Sequence, residues 1–314
     1  MTNKKIPNSK DSFPMIDATD HAILMHRDAH FGGLFSIMLP YYRDDGKGVQ
    51  VEFKISRIEQ LAVLEEQLKE NLAAAVLSAH EAHRVADAIE SYRKLRDIYE
   101  INNPSTVLPR LIADLILAED EAEEEIKALV AQKNKAVTPL IDILKQEEFY
   151  DPLFPGYGQA PYLAAKTLGL IGDKRAIIAI FEAIGKSDFF VDEHLCDTLK
   201  QIGTAACTFL LQVVKSRPLN EDNIKAAIAL LNFKNEPGVA DSCFELVQKL
   251  DVHENEFLSS YLILICAGLQ EKEERAEFIK WSLQPNLPRH LLADVQAVKG
   301  EWNDYSQVTD QFEQ

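Results

Sequence analysis

Cysteine is scarce in these 314 residues: there are four, Cys196, Cys207, Cys243 and Cys266, all in the second half. No two are close enough for a CxxC motif and each has apolar helical neighbours, so zinc-ribbon and thiol-redox chemistry find no support. Small buried thiols in a reducing compartment are expected. Basic charge is short as well: 33 Lys and Arg stand against 50 Asp and Glu, a net charge of −17, with a pI near 4.9. Binding nucleic acid needs a surplus of cations on one face, and so does docking on an anionic leaflet. Both are argued against, and a basic partner would be attracted. Long apolar runs are missing, none approaching the roughly 18–20 residues that span a bilayer. Ile6-Pro7-Asn8-Ser9-Lys10 follows the basic opening where a signal peptide would need an apolar core. A cytoplasmic protein is expected. Neither a Gly-x-Ser-x-Gly elbow nor a phosphate-cradling Gly-x-x-x-x-Gly-Lys loop occurs, which leaves nucleophilic and phosphoryl chemistry without a carrier.

What is present is helical periodicity. Residues 1–14 are polar, with Pro7 and Pro14, and read as a mobile tail. A short helix is predicted over 16–27, ended by Gly32-Gly33, and the aromatic stretch 31–42 is expected to be buried. Val49, Val51, Phe53 and Ile55 alternate with polar residues, which has the period of a strand or of an extended segment laid across helices. Ser56-Arg57-Ile58-Glu59 and Ser78-Ala79-His80-Glu81 both have the form of a capping box, predicting helices over about 57–77 and 79–100. Asn102-Asn103-Pro104-Ser105 then marks a boundary, giving a helical N-terminal domain over 15–104.

Beyond it short amphipathic helices come in pairs: 119–134 with 135–147, 161–171 with 174–185, 191–202 with 204–215, 222–233 with 237–250, and 256–269 with 271–283. The turns at Ile171-Gly172, Ile202-Gly203 and Phe233-Lys234 are spaced 31 and 31 residues apart. A fixed period of this size belongs to stacked helical hairpins, each burying its apolar face only against the next. In the best-formed copy Leu163, Leu168 and Ile171 make an apolar stripe, Ala164 and Ala165 permit close approach, Gly172 can close the helix, and Asp173 can cap its successor. A capping helix around 291–298 and a polar tail over 301–314 are expected to end the array.

Ala164, Ala165, Leu168, Gly169, Ile171, Gly172, Asp173, Arg175 and Ala176, with Leu199, Ile202, Gly203 and Ala206 in the next copy, resemble the short bacterial HEAT-like repeat also found in phycobilin lyase subunits. The resemblance covers two copies well and 105–285 in hydrophobic pattern, whereas 1–104 resembles nothing nameable. It implies an all-α protein: an α-solenoid of HEAT-like hairpins over 105–300, preceded by a helical N-terminal domain. It also implies a binding surface more often than an enzyme. A related family, deoxyhypusine hydroxylase, binds two irons through four His-Glu dipeptides in its HEAT repeats. Only His80-Glu81 and His253-Glu254 occur here.

Three features compete as sites. Asp17, Asp20, His21, His26, Asp28 and His30 crowd fourteen positions near the N-terminus. His26 and His30 are four apart and would share a helix face, and imidazole with carboxylate suits zinc, iron or manganese. His21, His26, Asp28 and His30 are therefore candidate metal ligands, with His80 and His83 as possible additions; a polar cap that hydrogen-bonds the domain together is the alternative. The stretch 149–162 brings Phe149, Tyr150, Phe154, Tyr157 and Tyr162 together just before the best repeat. Insertions in solenoids project from one face, so these rings are candidate partner-binding residues, unless they fold back over neighbouring helices. The acidic run 119–125 has the default reading of a solvated helix N-terminus. Charge also sorts by region: residues 1–104 hold 13 basic and 16 acidic side chains, a net of −3, and the rest 20 and 34, a net of −14. The expectation is a non-enzymatic scaffold binding a protein or peptide through an acidic solenoid, with no cofactor. The alternatives are a metal-dependent enzyme built on the histidine cluster and a cofactor-attaching, lyase-like subunit.

Overall fold

Asp17 opens the first helix, its carboxylate accepting from the Asp20 backbone N–H while the Asp20 side chain returns the bond, and the helix α1 then runs Ala18–His30. In the computed structural model, which describes residues 16–100, 107–118, 122–285 and 287–312, every described segment is helical or irregular, with seventeen α-helices and no strand. The chain forms two compact units. The first takes residues 1–125 and 146–161, and the second 126–145 and 162–314. The boundary expected at 104 therefore lies elsewhere, and the aromatic insertion belongs largely to the first unit. The tail expected over 1–14 and the boundary residues 102–105 lie outside the described residues.

In the first unit α1 is followed by α2 (Phe35–Arg43), α3 (Ile55–Leu68), α4 (Leu72–Val76), α5 (Ala79–Glu100) and α6 (Val107–Leu117). α1 packs against α3, α4 and α5, and α2 against α3. One core is made by Ile23, Leu24, Phe35, Met38, Tyr42, Ile58, Leu61 and Leu72. A second joins Met25 and Ala29 of α1 and Val85 and Ala88 of α5 to Leu153 and Phe154. The alternation at 49–55 is no strand. Residues 49–53 are irregular with a turn at 51–52, Val51 is almost fully exposed at 96%, only Phe53 of that segment is buried, and Ile55 already opens α3. Glycines at 46 and 48 are the physical reason: Gly48 has φ +76°, and a Cβ there would lie 2.1 Å from the Tyr157 ring. The Ser78 box forms as written, with Ser78 donating to the Glu81 carboxylate and accepting from its N–H. The Ser56 box does not, because the helix starts two residues earlier, at Ile55, and Ser56 makes no cap.

In the second unit the paired pattern is realised as helices: α7 (Glu123–Ala131, entering the unit at Ile126), α8 (Asn134–Lys145), α9 (Ala160–Ile171, entering the unit at Tyr162), α10 (Ile177–Ala183), α11 (Phe189–Ile202), α12 (Thr204–Lys215), α13 (Glu221–Leu230), α14 (Val239–Val247), α15 (Glu256–Ile265), α16 (Lys272–Ser282) and α17 (Arg289–Phe312). In its middle, helices touch near neighbours along the chain: α11 meets α12 and α13, α12 meets α13 and α14, and α15 meets α13, α14 and α17. Gly172 and Gly203 take positive φ at the turns, as their place after each first helix requires. Asp173, Asp188 and Asn220 cap the segments that follow them. Instead of ending before a tail at 301, α17 continues to Phe312. Its stripe Leu291, Val295, Val298 and Trp302 is buried, and the Trp302 indole N–H donates to the Ala267 carbonyl. All four cysteines are free and buried. Burial pushes the Cys196 and Cys243 thiols up to about 12, so neither offers a thiolate near neutrality. No helix among the described residues is long and apolar enough to cross a membrane.

Candidate functional site

The last turns of α1 are buried on almost every side, with Ile23, Leu24, Met25, His26, Arg27 and Ala29 all covered. A polar side chain on such a helix must find a partner or carry the cost of desolvation. Most find one. Asp20, fully buried, receives Arg57 Nε at 2.7 Å and Nη2 at 2.5 Å, a two-point ion pair between α1 and α3 that holds the Asp20 carboxyl below its usual range. Arg27, fully buried too, donates to Asp28 at 2.7 Å, to Glu65 at 2.6 Å and to Asn71 at 3.2 Å, with its guanidinium 4.6 Å from the centre of the Phe35 ring. His21 Nδ1 lies 2.9 Å from Glu81, whose carboxyl is pushed down to about 2, chiefly by the Ser78 N–H and then by His21.

These pairings draw the candidate metal ligands apart. His21 and Asp28 are each turned to a different partner, and no group of three or more His, Cys, Asp or Glu able to hold a metal exists among the described residues. His80 is exposed, and His83 faces Asp87 across one turn of α5 at 3.6 Å. His253 lies in the second unit, its backbone N–H bound to the Asp251 carboxylate. Of the four candidate ligands only His26 and His30 come together, their ring centres 4.3 Å apart.

The two imidazoles differ sharply. His30 is satisfied at both nitrogens: Nε2 donates to the Pro152 carbonyl at 3.0 Å, so in the neutral ring Nδ1 accepts from the Tyr92 hydroxyl at 2.8 Å. Its ring also lies 4.5 Å from that of Tyr157. His26 is 3% exposed, boxed by Phe31, Tyr42, Phe53 and Tyr157, and its Nε2 has no hydrogen-bond partner. Burial holds the His26 imidazole down to about 3 and the His30 imidazole to about 4. Groups so weakly basic are poorly matched to general acid–base work near neutrality. Beside His26 opens a cleft of about 190 Å³, walled by Met25, Phe53 and Leu153 and edged by Glu52, Arg84 and Asp151, with Arg84 paired to Asp151. Sequence reasoning found His26 but missed the rest of this cleft, which is assembled from segments over a hundred residues apart.

The insertion folds back. Phe154 is 6% exposed, and Phe149, Tyr150 and Tyr157 are half-buried in the first unit. They offer no projecting aromatic patch, which corrects the partner-binding expectation for these four. Tyr162 alone belongs to the second unit, on α9, where its ring centre lies 5.0 Å from His194 and 6.1 Å from Phe190. That group was not foreseen. Phe189 is 83% exposed and Phe190 58%, at the first two positions of α11. The available signal was two consecutive phenylalanines at a helix start, since helical geometry lets only one side of a turn face the core.

Comparison of the chain with protein-family models, with curated proteins and with solved structures finds no match. The likeness to HEAT-type repeats therefore rests on the residues of this chain alone.

Proposed function

We propose that the chain is a non-enzymatic interaction protein whose second unit is an α-solenoid of HEAT-like hairpins binding a basic protein or peptide. One observation carries the reading: the exposed pair Phe189 and Phe190, at the start of α11 and flanked by Asp188, Asp192 and Glu193. Large exposed aromatics are costly to solubility and common at interaction hot spots, and the carboxylates around them select a cationic partner. The contacts of α10 with α11, α11 with α12, α12 with α13 and α14 with α15, with those of α8 to α10 and of α15 to α17 two places on, support the stacking of hairpins.

The test is a titration of the full chain with two model helices, one of Leu and Lys and one of Leu and Glu. The basic peptide should bind with an affinity that falls as salt is raised. Phe189→Ser combined with Phe190→Ser should weaken it about thirtyfold, the loss of a hot spot. Equal binding of the two peptides, or binding untouched by the double substitution, would overturn the proposal.

A further inference from the structure

We propose that the cleft beside His26 in the first unit is a binding site for a small, neutral, single-ring molecule carrying a hydroxyl or an equivalent hydrogen-bonding group. This is independent of the interaction surface on α11.

Size gives the first constraint. The cleft measures about 190 Å³, somewhat more than the roughly 150 Å³ apolar cavity that accepts benzene. One ring with one substituent fits it. Met25, Phe53 and Leu153 supply apolar walls, of the kind that gives small ligands most of their binding energy.

Polarity gives the second. His26 lies in the wall, 3% exposed, and its Nε2, closed off from solvent, has no partner in the protein, so a ligand reaches it by a small shift of the ring or its wall. This is not a general property of the region, because His30, one turn away, has both nitrogens engaged. A buried donor or acceptor left without a partner is a liability that a ligand can relieve. A hydroxyl can donate or accept, so it suits His26 whichever ring nitrogen carries the proton.

Charge gives the third. Arg84 at the edge is spent on Asp151, and the Asp151 carboxylate also accepts from the Leu153 N–H at 2.9 Å. Glu52 adds a negative charge at the mouth. An anionic ligand would meet no free cation among the lining groups, and a cationic one would meet the Arg84 charge and an apolar floor.

Phenol and toluene are the probes, titrated into the full chain with its histidine rings labelled with nitrogen-15. Phenol should bind saturably, at about 1 mM or tighter, the range open to so few atoms. It should shift the His26 ring nitrogens and bind about tenfold more tightly than toluene, the contribution of one hydrogen bond. His26→Phe should erase the difference between the probes, and Ala22→Leu, at the cleft wall, should weaken both. Should His26→Phe fail to fold, the wild-type nitrogen shifts and the Ala22→Leu variant still decide. Unmoved His26 signals, as with a water alone on Nε2, would overturn the proposal, and so would equal binding of phenol and toluene.

Discussion

At His26 and His30 burial keeps two adjacent imidazoles neutral, at about 3 and about 4, against an ordinary value of 6.5. In the unfolded chain both would take up a proton as pH falls through about 6.5. In the folded chain they do so only two or more units lower, so across that window the unfolded state holds more protons and stability rises with pH. The contribution is complete above about pH 7 and is lost as pH falls toward 4 for His30 and 3 for His26, with a ceiling for His26 of about 5 kcal/mol. The groups facing the pair pull both ways, Arg84 opposing protonation while Asp151 and Glu52 favour it. Asp20, held low by Arg57, acts in the same sense but in a lower window: its stabilisation is present above the ordinary carboxylate value and fades only below it. The two windows are therefore separable. Hydrogen exchange of α1 amides, corrected for intrinsic rates, should report an opening free energy up to about 4 kcal/mol lower at pH 5 than at pH 7.5, roughly half from each imidazole. The only tryptophans, Trp281 and Trp302, lie in the second unit, so their fluorescence monitors that unit separately. His26→Phe should roughly halve the exchange difference, leaving the share of His30. Equal α1 protection at the two pH values would refute the assignment.

Among the elements, two glycines of the second unit look alike in sequence and act through different physics. Gly172 closes α9 at φ +71°, with open space where a Cβ would stand, so Gly172→Ala should cost only the left-handed strain of about 1 kcal/mol. Gly268 has no such φ, yet an added Cβ would sit 1.8 Å from the backbone carbonyl oxygen of Lys234. A main-chain atom cannot swing aside as a side chain can, and Gly268→Ala should cost about 3 kcal/mol or more. Urea unfolding followed by tryptophan emission separates the two, and equal losses would show that the close approach is not maintained in solution. The contrast marks where sequence reading stops. Gly172 announced its role because a turn is local, set by the residues either side of it. Gly268 answers to Lys234, thirty-four positions away, and no local pattern carries that. The same division runs through the fold. Helices α8 to α16 were legible from apolar spacing and turn residues. The helix α6 was not, and 49–55 was misread as extended because alternation mimicked a strand where Gly46 and Gly48 make turns. In the site, α1 and its histidines were legible. Their partners were not, because Arg57, Glu81, Tyr92 and Pro152 reach them from distant segments.

For the whole molecule, the consequence is that the first unit is not a continuous piece of chain. The polypeptide leaves it at 125, contributes 126–145 to the second unit, returns for 146–161, and leaves again. What the return supplies is core: Leu153 and Phe154 complete the cluster with Met25, Ala29, Val85 and Ala88, Asp151 holds Arg84, and the Pro152 carbonyl accepts from His30. The Tyr157 ring fills the space left by Gly48. A fragment cut at 104, where composition invites a boundary, keeps α1 to α5 but loses all of these groups. It should bind a hydrophobic dye and show weak exchange protection in α1, since an uncovered apolar cluster and an unpaired arginine remain. A fragment of residues 1–125 mixed with a synthetic peptide of 146–161 should recover α1 protection and release the dye. A peptide with Leu153 and Phe154 both changed to Ser should not rescue it, because the repair requires their burial and not merely the presence of the chain. Full native protection of α1 in the fragment 1–104 would contradict the division of the chain drawn here. Rescue by the Ser-substituted peptide would place the essential contact at Asp151 and Pro152 instead of the apolar cluster.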